Sequence, residues 1–256
     1  MGFREFSSLS LARFNSAISS NFLDFYENYV MTKMQKKSTR MKSRTFAPSC
    51  LRCDRKSWFR LRGTEPDFLE NPDMTLNYTA EVGTARHAAI QQNLKELLGQ
   101  DWIDVSDYLS EIKVLYNYEY QKSGYETLIN ISNPPIKFAC DGIIRFNNKL
   151  FLLEIKTSDY ASWNSLNEPK QVHMDQVKCY STLLQLPNVL ILYEDRQYGG
   201  LKCYQINVSA VESQRIMDKF SYIQDMVKAN LAPERLNKND YMCKNCEYRK
   251  KCDEWG

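Results

Sequence analysis

The chain has 256 residues, of which 43% are hydrophobic and 25% are charged, and its formal net charge is +3. This length fits one large soluble domain or a domain with appendages, and we find no internal repeat or low-complexity tract. No apolar run reaches the length of a membrane span, and a net charge this small does not by itself mark a nucleic-acid binder.

The predicted elements alternate between helices and strands. An amphipathic helix is predicted at about 8–34, followed by a basic linker to about 46 and a helical segment, CDRKSWFRLR, before a polar loop. A helix follows Gly83. The later elements are a strand at 111–120, a hairpin at 138–157, a helix at 168–186, strands at 189–194 and 201–208, and a helix at 209–229. This αβββαββα order predicts an α/β fold, with a mixed sheet flanked by helices.

The segment 138–156 reads FACDGIIRFNNKLFLLEIK and predicts a β-hairpin. Two runs rich in β-branched and aromatic residues flank Asn147 and Asn148, which both tolerate a positive φ. If these asparagines form the loop, the register places Asp141 directly opposite Glu154. Two carboxylates about 5 Å apart either repel each other or share a divalent cation, for which Mg²⁺ or Mn²⁺ is suited.

A lysine completes this pattern. Strand alternation puts Lys156 on the same face as Glu154, while Ile155 points to the other face. A cation that polarises a phosphoryl oxygen and an ammonium that stabilises developing charge are the parts of phosphodiester hydrolysis. The alternative is an exposed ion pair on an edge strand, but apolar residues on both faces indicate a central, buried strand.

These motifs resemble the RecB-like branch of the PD-(D/E)XK nuclease superfamily. The resemblance rests on Asp141, on Glu154-Ile155-Lys156-Thr157, on Gln176 with Tyr180, and on Gly83-Thr84-Ala85-Arg86-His87, which is similar to the G-x-x-x-H motif of that branch. Two departures are Cys140, where relatives often carry glycine, and the lack of a proline beside Asp141. For His87 alone, a core histidine on the apolar face of a helix is the alternative.

The resemblance implies a restriction-endonuclease-like fold for the nuclease domain at 46–256, and the helical, basic arm predicted at 1–45 lies outside it. It implies a metal-dependent deoxyribonuclease, and it assigns roles to particular residues. The catalytic residues would be Asp141, Glu154 and Lys156. The Mg²⁺ or Mn²⁺ ligands would be His87, Asp141, Glu154 and the Ile155 carbonyl. Substrate contacts would come from Gln176 and Tyr180.

The cysteines predict a second metal centre. Iron–sulfur members of the same branch hold a 4Fe-4S cluster with one upstream cysteine and a terminal C-x2-C-x5-C, which joins the two ends of the domain. The matching residues here are Cys53, Cys243, Cys246 and Cys252, so the cluster segment is 243–252. The alternative is a structural zinc site built from two C-x2-C pairs, Cys50 with Cys53 and Cys243 with Cys246.

Cations and aromatic residues alternate in the stretch after Cys53. The cations Arg55, Lys56 and Arg60 surround Trp58 and Phe59. Bases of a single strand stack on aromatic rings while cations follow the backbone, so we expect these cations to bind single-stranded DNA. The alternative is a helix that packs its aromatic side chains inward.

The expected function is an exonuclease that acts on single-stranded DNA ends in recombination, repair or CRISPR-type DNA processing. We expect a cytoplasmic protein of prokaryotic or viral origin that does not contact a membrane. Its expected partners are recombination, helicase or CRISPR adaptation proteins, and the sequence is compatible with a homo-oligomer. Because no Walker A motif is present, helicase activity would come from another chain. The alternatives are a non-catalytic DNA-binding or assembly protein with the same fold, and a nuclease that cuts RNA.

Overall fold

The computed structural model describes residues 20–32, 44–67, 74–112, 117–124, 126–244 and 246–255, without the side chains of 74–77 and 123. The chain divides into two compact units, residues 1–41 with 69–80, and residues 42–68 with 81–256. In the first unit, residues 20–32 are helical, which agrees with part of the predicted helix at 8–34. The rest of that helix and most of the basic linker lie outside the described residues.

The strands in the described residues are β1 (Trp102–Ile103), β2 (Tyr118–Ser123), β3 (Glu126–Ser132), β4 (Pro135–Cys140), β5 (Gly142–Phe146), β6 (Lys149–Ser158), β7 (Asn188–Asp195) and β8 (Leu201–Asn207). They form a five-stranded sheet in the order β1-β5-β6-β7-β8 and a three-stranded sheet in the order β2-β3-β4. Only β6 and β7 run parallel among these paired strands. The predicted mixed sheet is therefore confirmed.

Besides the helix at 20–32, the described residues form the α-helices α1 (Asp54–Arg62), α2 (Met74–Leu98), α3 (Val105–Glu111), α4 (Tyr160–Asn164), α5 (Gln171–Leu184), α6 (Ala210–Lys228), α7 (Tyr241–Lys244) and α8 (Arg249–Glu254). The helix predicted after Gly83 was placed to start too late, because α2 begins nine residues earlier.

The predicted strand at 111–120 was wrong over its first residues. Residues of α3 occupy 105–111, residues 113–116 lie outside the described residues, and the described strand begins at Tyr118. The side chain of Asp104 caps α3 by accepting a hydrogen bond from the Ser106 amide, and Val105, Tyr108 and Leu109 are buried at helical spacing. The prediction also missed β3, although its buried and exposed residues alternate along the strand.

The predicted hairpin is confirmed in its register and corrected in its first strand. Asn147 and Asn148 have φ values of 48° and 60°, and Gly142 pairs with Leu153. The first run is not one strand but two, because β4 pairs in the three-stranded sheet and β5 pairs in the five-stranded sheet. The break between them falls at Asp141.

Strand β6 is covered on both faces, as predicted. One face packs under α2 in a cluster of Ile90, Ile144, Phe151, Leu153 and Ile155. The other face belongs to the main core, which includes Leu152 of β6 and side chains of α5 and α6. In the part of the chain that is described, no helix is long and apolar enough to cross a membrane.

Candidate active site and cysteine cavity

Three carboxylates line up where the two sheets meet. Thr127 pairs with Cys140 in the β3–β4 ladder, so the next position places Glu126 beside Asp141. Gly142 pairs with Leu153 in the β5–β6 ladder, so the next position places Glu154 on the other side of Asp141. Asp141 is buried, and so is Glu154. The predicted pair is therefore part of a row of three acids.

His87 of α2 reaches the same row. Its Nδ1 atom lies 3.7 Å from Asp141 Oδ1 and 4.0 Å from Glu126 Oε1. One ligand atom from each of these three residues lies within 4.8 Å of the others, which suits a shared cation. His87 and Asp141 were predicted from their motifs, whereas Glu126 was missed. The alternation along 126–132 was the signal that could have revealed the strand and its first residue.

The backbone of Ile155 faces Asp141. The Ile155 amide donates a 2.7 Å hydrogen bond to Asp141 Oδ2, and Gln91 Nε2 of α2 donates to the Asp141 carbonyl at 2.6 Å. The N–H and C=O of one strand residue point to the same side. The Ile155 carbonyl therefore points to the same side of β6 as its amide, which is the side of Asp141. Since β5 begins only at Gly142, no β5 amide lies opposite this carbonyl, and it is placed to act as a ligand.

Lys156 and Gln176 hold Glu154. The Lys156 ammonium lies 2.5 Å from Glu154 Oε1, which also accepts a 2.9 Å hydrogen bond from Gln176 Nε2. Lys156 donates in turn to Gln176 Oε1 at 3.2 Å, and the Tyr180 hydroxyl accepts from Gln176 Nε2 at 2.7 Å. Tyr180 is buried and stacks on Phe138. The predicted residues thus form one network.

Burial and mutual repulsion shape the charges of the site. Burial, and then the charge of Asp141, raise the pKa of Glu154 to about 7. The same two causes raise the pKa of Glu126. For His87, burial opposes the charged form, but the hydrogen bond and charge of Asp141 outweigh it and raise the pKa. A bound cation would relieve the repulsion among the carboxylates.

Helix α2 approaches the end of β6 closely. A Cβ atom at Gly83 would lie 3.3 Å from Thr157 Oγ1, so glycine allows this approach. Three residues later, Arg86 donates two hydrogen bonds, of 2.9 and 2.6 Å, to the carboxylate of Glu194 on β7. These contacts fix the turn of α2 that carries His87, which gives the G-x-x-x-H spacing a structural reason.

Four cysteines line a second cavity. Cys53 immediately precedes α1, and the other three come from the C-terminal segment: Cys243, Cys246 and Cys252. Cys50 is not among the lining residues. Burial is the first cause of a raised pKa of the Cys53 thiol, at about 11, and the other three cysteines add to it. Among the described cysteines, no three sulfur atoms lie within 4.8 Å of one another.

The structure corrects the predicted DNA contacts of α1. Trp58 and Phe59 are buried, so they offer no stacking surface. Arg55 is also buried, and its guanidinium donates to the carbonyls of Pro233 and Cys252. Lys56 pairs with Glu247 at 2.7 Å. The aromatic side chains pack inward, and Arg55 and Lys56 hold the C-terminal segment.

The third predicted cation, Arg60, is only partly buried on α1. Its side chain lies near Tyr248 of the C-terminal segment, where its charge opposes the rise of the tyrosine pKa. A contact between Arg60 and DNA stays a prediction.

No protein-family model matches the chain, and no curated protein matches it. Among solved structures, SSO0001 is similar with a TM-score of 0.46 and 17% identity over 89% of this chain and 96% of that one. An alkaline exonuclease, LHK-Exo from Laribacter hongkongensis, has a TM-score of 0.39 and 14% identity over 76% and 93%. Its complex with dAMP has a TM-score of 0.42 and 14% identity over 75% and 91%. These values are too low to carry a function over.

Proposed function

We propose that the protein is a metal-dependent nuclease that hydrolyses phosphodiester bonds of DNA. The observation that carries the proposal is the group His87, Glu126 and Asp141, whose ligand atoms lie within 4.8 Å of one another. Glu154, with Lys156 as its partner, follows in the strand register next to Asp141. Burial and the charge of Asp141 raise the pKa of both Glu126 and Glu154, so the ionised forms of these carboxylates are costly together without a cation. Such groups mark functional sites.

The donor set fits Mg²⁺ or Mn²⁺. Carboxylate oxygens suit both ions, and a histidine nitrogen makes Mn²⁺ the better match. We propose His87, Asp141, Glu154 and the Ile155 carbonyl as ligands, with Glu126 in addition. When bound, such an ion supplies Lewis-acid chemistry, which polarises a phosphoryl oxygen and makes water a better nucleophile.

The remaining residues orient the reacting groups. The Lys156 ammonium is held between Glu154 and Gln176, where it can position an attacking water and stabilise the negative charge that develops on phosphorus-bound oxygens. Gln176 fixes both charged side chains with one amide, and buried Tyr180 anchors that amide. We therefore assign Gln176 and Tyr180 to positioning rather than to direct contact with substrate.

We propose that Cys53, Cys243, Cys246 and Cys252 hold a 4Fe-4S cluster. The alternative zinc site would need Cys50 as a ligand, and Cys50 is not among the residues that line this cavity. Lys56, Arg235 and Arg249 line the same cavity and suit an anionic centre. The cluster would tie α1 to the C-terminal segment.

Cleavage of end-labelled DNA tests the proposal. Linear and closed circular single-stranded DNA are incubated with Mn²⁺ and protein purified without oxygen, beside the Glu154→Ala variant. Loss of only the linear substrate by the wild type, and of neither by the variant, would support an exonuclease that acts on single-stranded ends. Cleavage of the circle as well would indicate an endonuclease, and no cleavage of either would support a non-catalytic assembly protein.

A further inference from the structure

Exposed aromatic rings lie at the same end of the five-stranded sheet as Lys156. Tyr160 and Tyr198 are 41% and 72% exposed. Their rings meet edge to face with centroids 5.1 Å apart, and Tyr160 also stacks on Trp163 at 6.2 Å. We call Tyr160, Trp163 and Tyr198 the aromatic platform. Adjoining exposed rings of this kind differ from the isolated apolar side chains that any surface carries.

The platform is held by the fold beneath it. A Cβ atom at Gly200 would lie 2.8 Å from the Trp163 ring, so glycine lets the indole pack closely. The Lys202 ammonium lies 4.5 Å from the centre of that ring and donates to the Trp163 carbonyl. Buried Asp195 accepts a hydrogen bond from the Tyr198 amide. These contacts hold the Trp163 ring and the backbone at Tyr198 in place before a ligand binds.

The platform is continuous with the candidate active site. Tyr160 follows Lys156 by four positions, which limits the distance between their Cα atoms to about 14 Å. Ser158 at the end of β6 pairs with Asp195 of β7, and its carbonyl accepts a hydrogen bond from the Arg196 amide at 2.9 Å. The turns that carry Tyr160 and Tyr198 therefore follow the ends of neighbouring strands and lie side by side.

Three cations lie near the site or the platform. Lys156 pairs with Tyr193 of β7 in the strand register, and the Tyr193 hydroxyl accepts a 3.2 Å hydrogen bond from the Lys170 amide. Lys170 is exposed and Arg196 is half-buried. The neighbouring acid Asp159 is engaged with the amide and hydroxyl of Ser162. Lys156 lies against Glu154, and the Arg196 amide bonds to the end of β6, so cations near the carboxylates and near the strand ends that carry the rings suit a phosphate backbone.

We propose that the aromatic platform stacks the bases of a single DNA strand whose scissile phosphodiester lies at Lys156. The proposal rests on the proposed nuclease function and names its substrate as single-stranded DNA. Stacking on side chains requires unpaired bases, so the platform selects single strands over duplex. It takes the place of Trp58 and Phe59, whose burial excludes them from this role.

The test compares base stacking with backbone binding. Fluorescence anisotropy in EDTA, which prevents cleavage, measures the affinity for labelled oligo-dT and for an abasic strand with the same number of phosphates. The variants are Tyr160→Ala with Tyr198→Ala, the matching pair of Tyr→Phe changes, and Tyr222→Ala on α6, which is 45% exposed and serves as control.

We expect each ring lost to weaken oligo-dT binding about tenfold. The double alanine variant should also lose the wild-type preference for oligo-dT over the abasic strand, while the double phenylalanine variant and Tyr222→Ala keep it. Unchanged oligo-dT affinity in the double alanine variant would overturn the platform. Tighter binding of oligo-rU than of oligo-dT by the wild type would overturn DNA as its ligand.

Cleavage separates the two proposals. With Mn²⁺, the double alanine variant should cut single-stranded DNA with a raised KM and a lowered kcat/KM. A wild type that shows the base-dependent binding but never cuts would refute the nuclease function and leave the platform standing. A wild type that cuts DNA without any preference for strands with bases would refute the platform alone.

Discussion

Replacement of Glu154 by glutamine should stabilise the metal-free protein at high pH. In the unfolded chain this carboxyl loses its proton near its ordinary pKa of 4.5, whereas in the folded protein burial and Asp141 hold the pKa at about 7. Between these values the folded state binds more protons, so stability falls as the pH rises through the window. The shift corresponds to about 3 kcal/mol.

The predicted quantity is the change in the free energy of unfolding between two pH values. Urea unfolding in chelator is measured at pH 5 and pH 8 for the wild type, Glu154→Gln and the control Glu212→Gln. The loss of a contact with Lys156 or Gln176 lowers stability at both pH values. This loss cancels when the change in unfolding free energy between pH 5 and pH 8 is compared between the proteins. We expect Glu154→Gln to gain about 2–3 kcal/mol relative to wild type on going from pH 5 to pH 8, because most of the pKa shift lies within this range.

The pKa of the control residue, Glu212, is shifted in the opposite direction. Hydrogen bonds from Lys178 and Ser209 lower the pKa of Glu212 to about 2, so this carboxyl is ionised in both states throughout pH 5–8. Glu212→Gln should therefore change stability equally at both values. Parallel pH dependences for the wild type and Glu154→Gln would show that the folded protein does not hold Glu154 protonated, and would refute the electrostatic description of the site.

Three further predictions concern the metal centres and the catalytic lysine. Lys156→Ala should lower the cleavage rate by about 10²–10³-fold, as loss of one charge-stabilising donor does, while anisotropy shows DNA binding largely retained; retained cleavage would contradict its role. Glu126→Gln should weaken Mn²⁺ binding at least about tenfold in calorimetry, since one anionic ligand is lost, and exposed Glu119→Gln should not. Cys246→Ser should remove iron absorption and lower the melting temperature, whereas Cys203→Ser, outside the cavity, should leave both unchanged.

The sequence by itself determined the hairpin and the pairing that follows from it. Two asparagines that accept positive φ and two strand-like runs fix the register locally, because loop length and side-chain alternation leave little choice. With that register, Asp141, Glu154 and Lys156 could be placed together before any tertiary contact was known. The long helices α5 and α6 were also predictable, since their apolar periodicity is strong and local.

Only the tertiary structure decided what lies next to that hairpin. Glu126 joins Asp141 because the chain changes sheets at Asp141, and no local pattern reports a change of partner strand. The same limit applies to aromatic side chains. Trp58 and Tyr160 both occur beside polar and charged residues in the sequence, yet one is buried in the core and the other is exposed at the sheet end. Burial depends on which elements pack together, and that is a property of the whole fold.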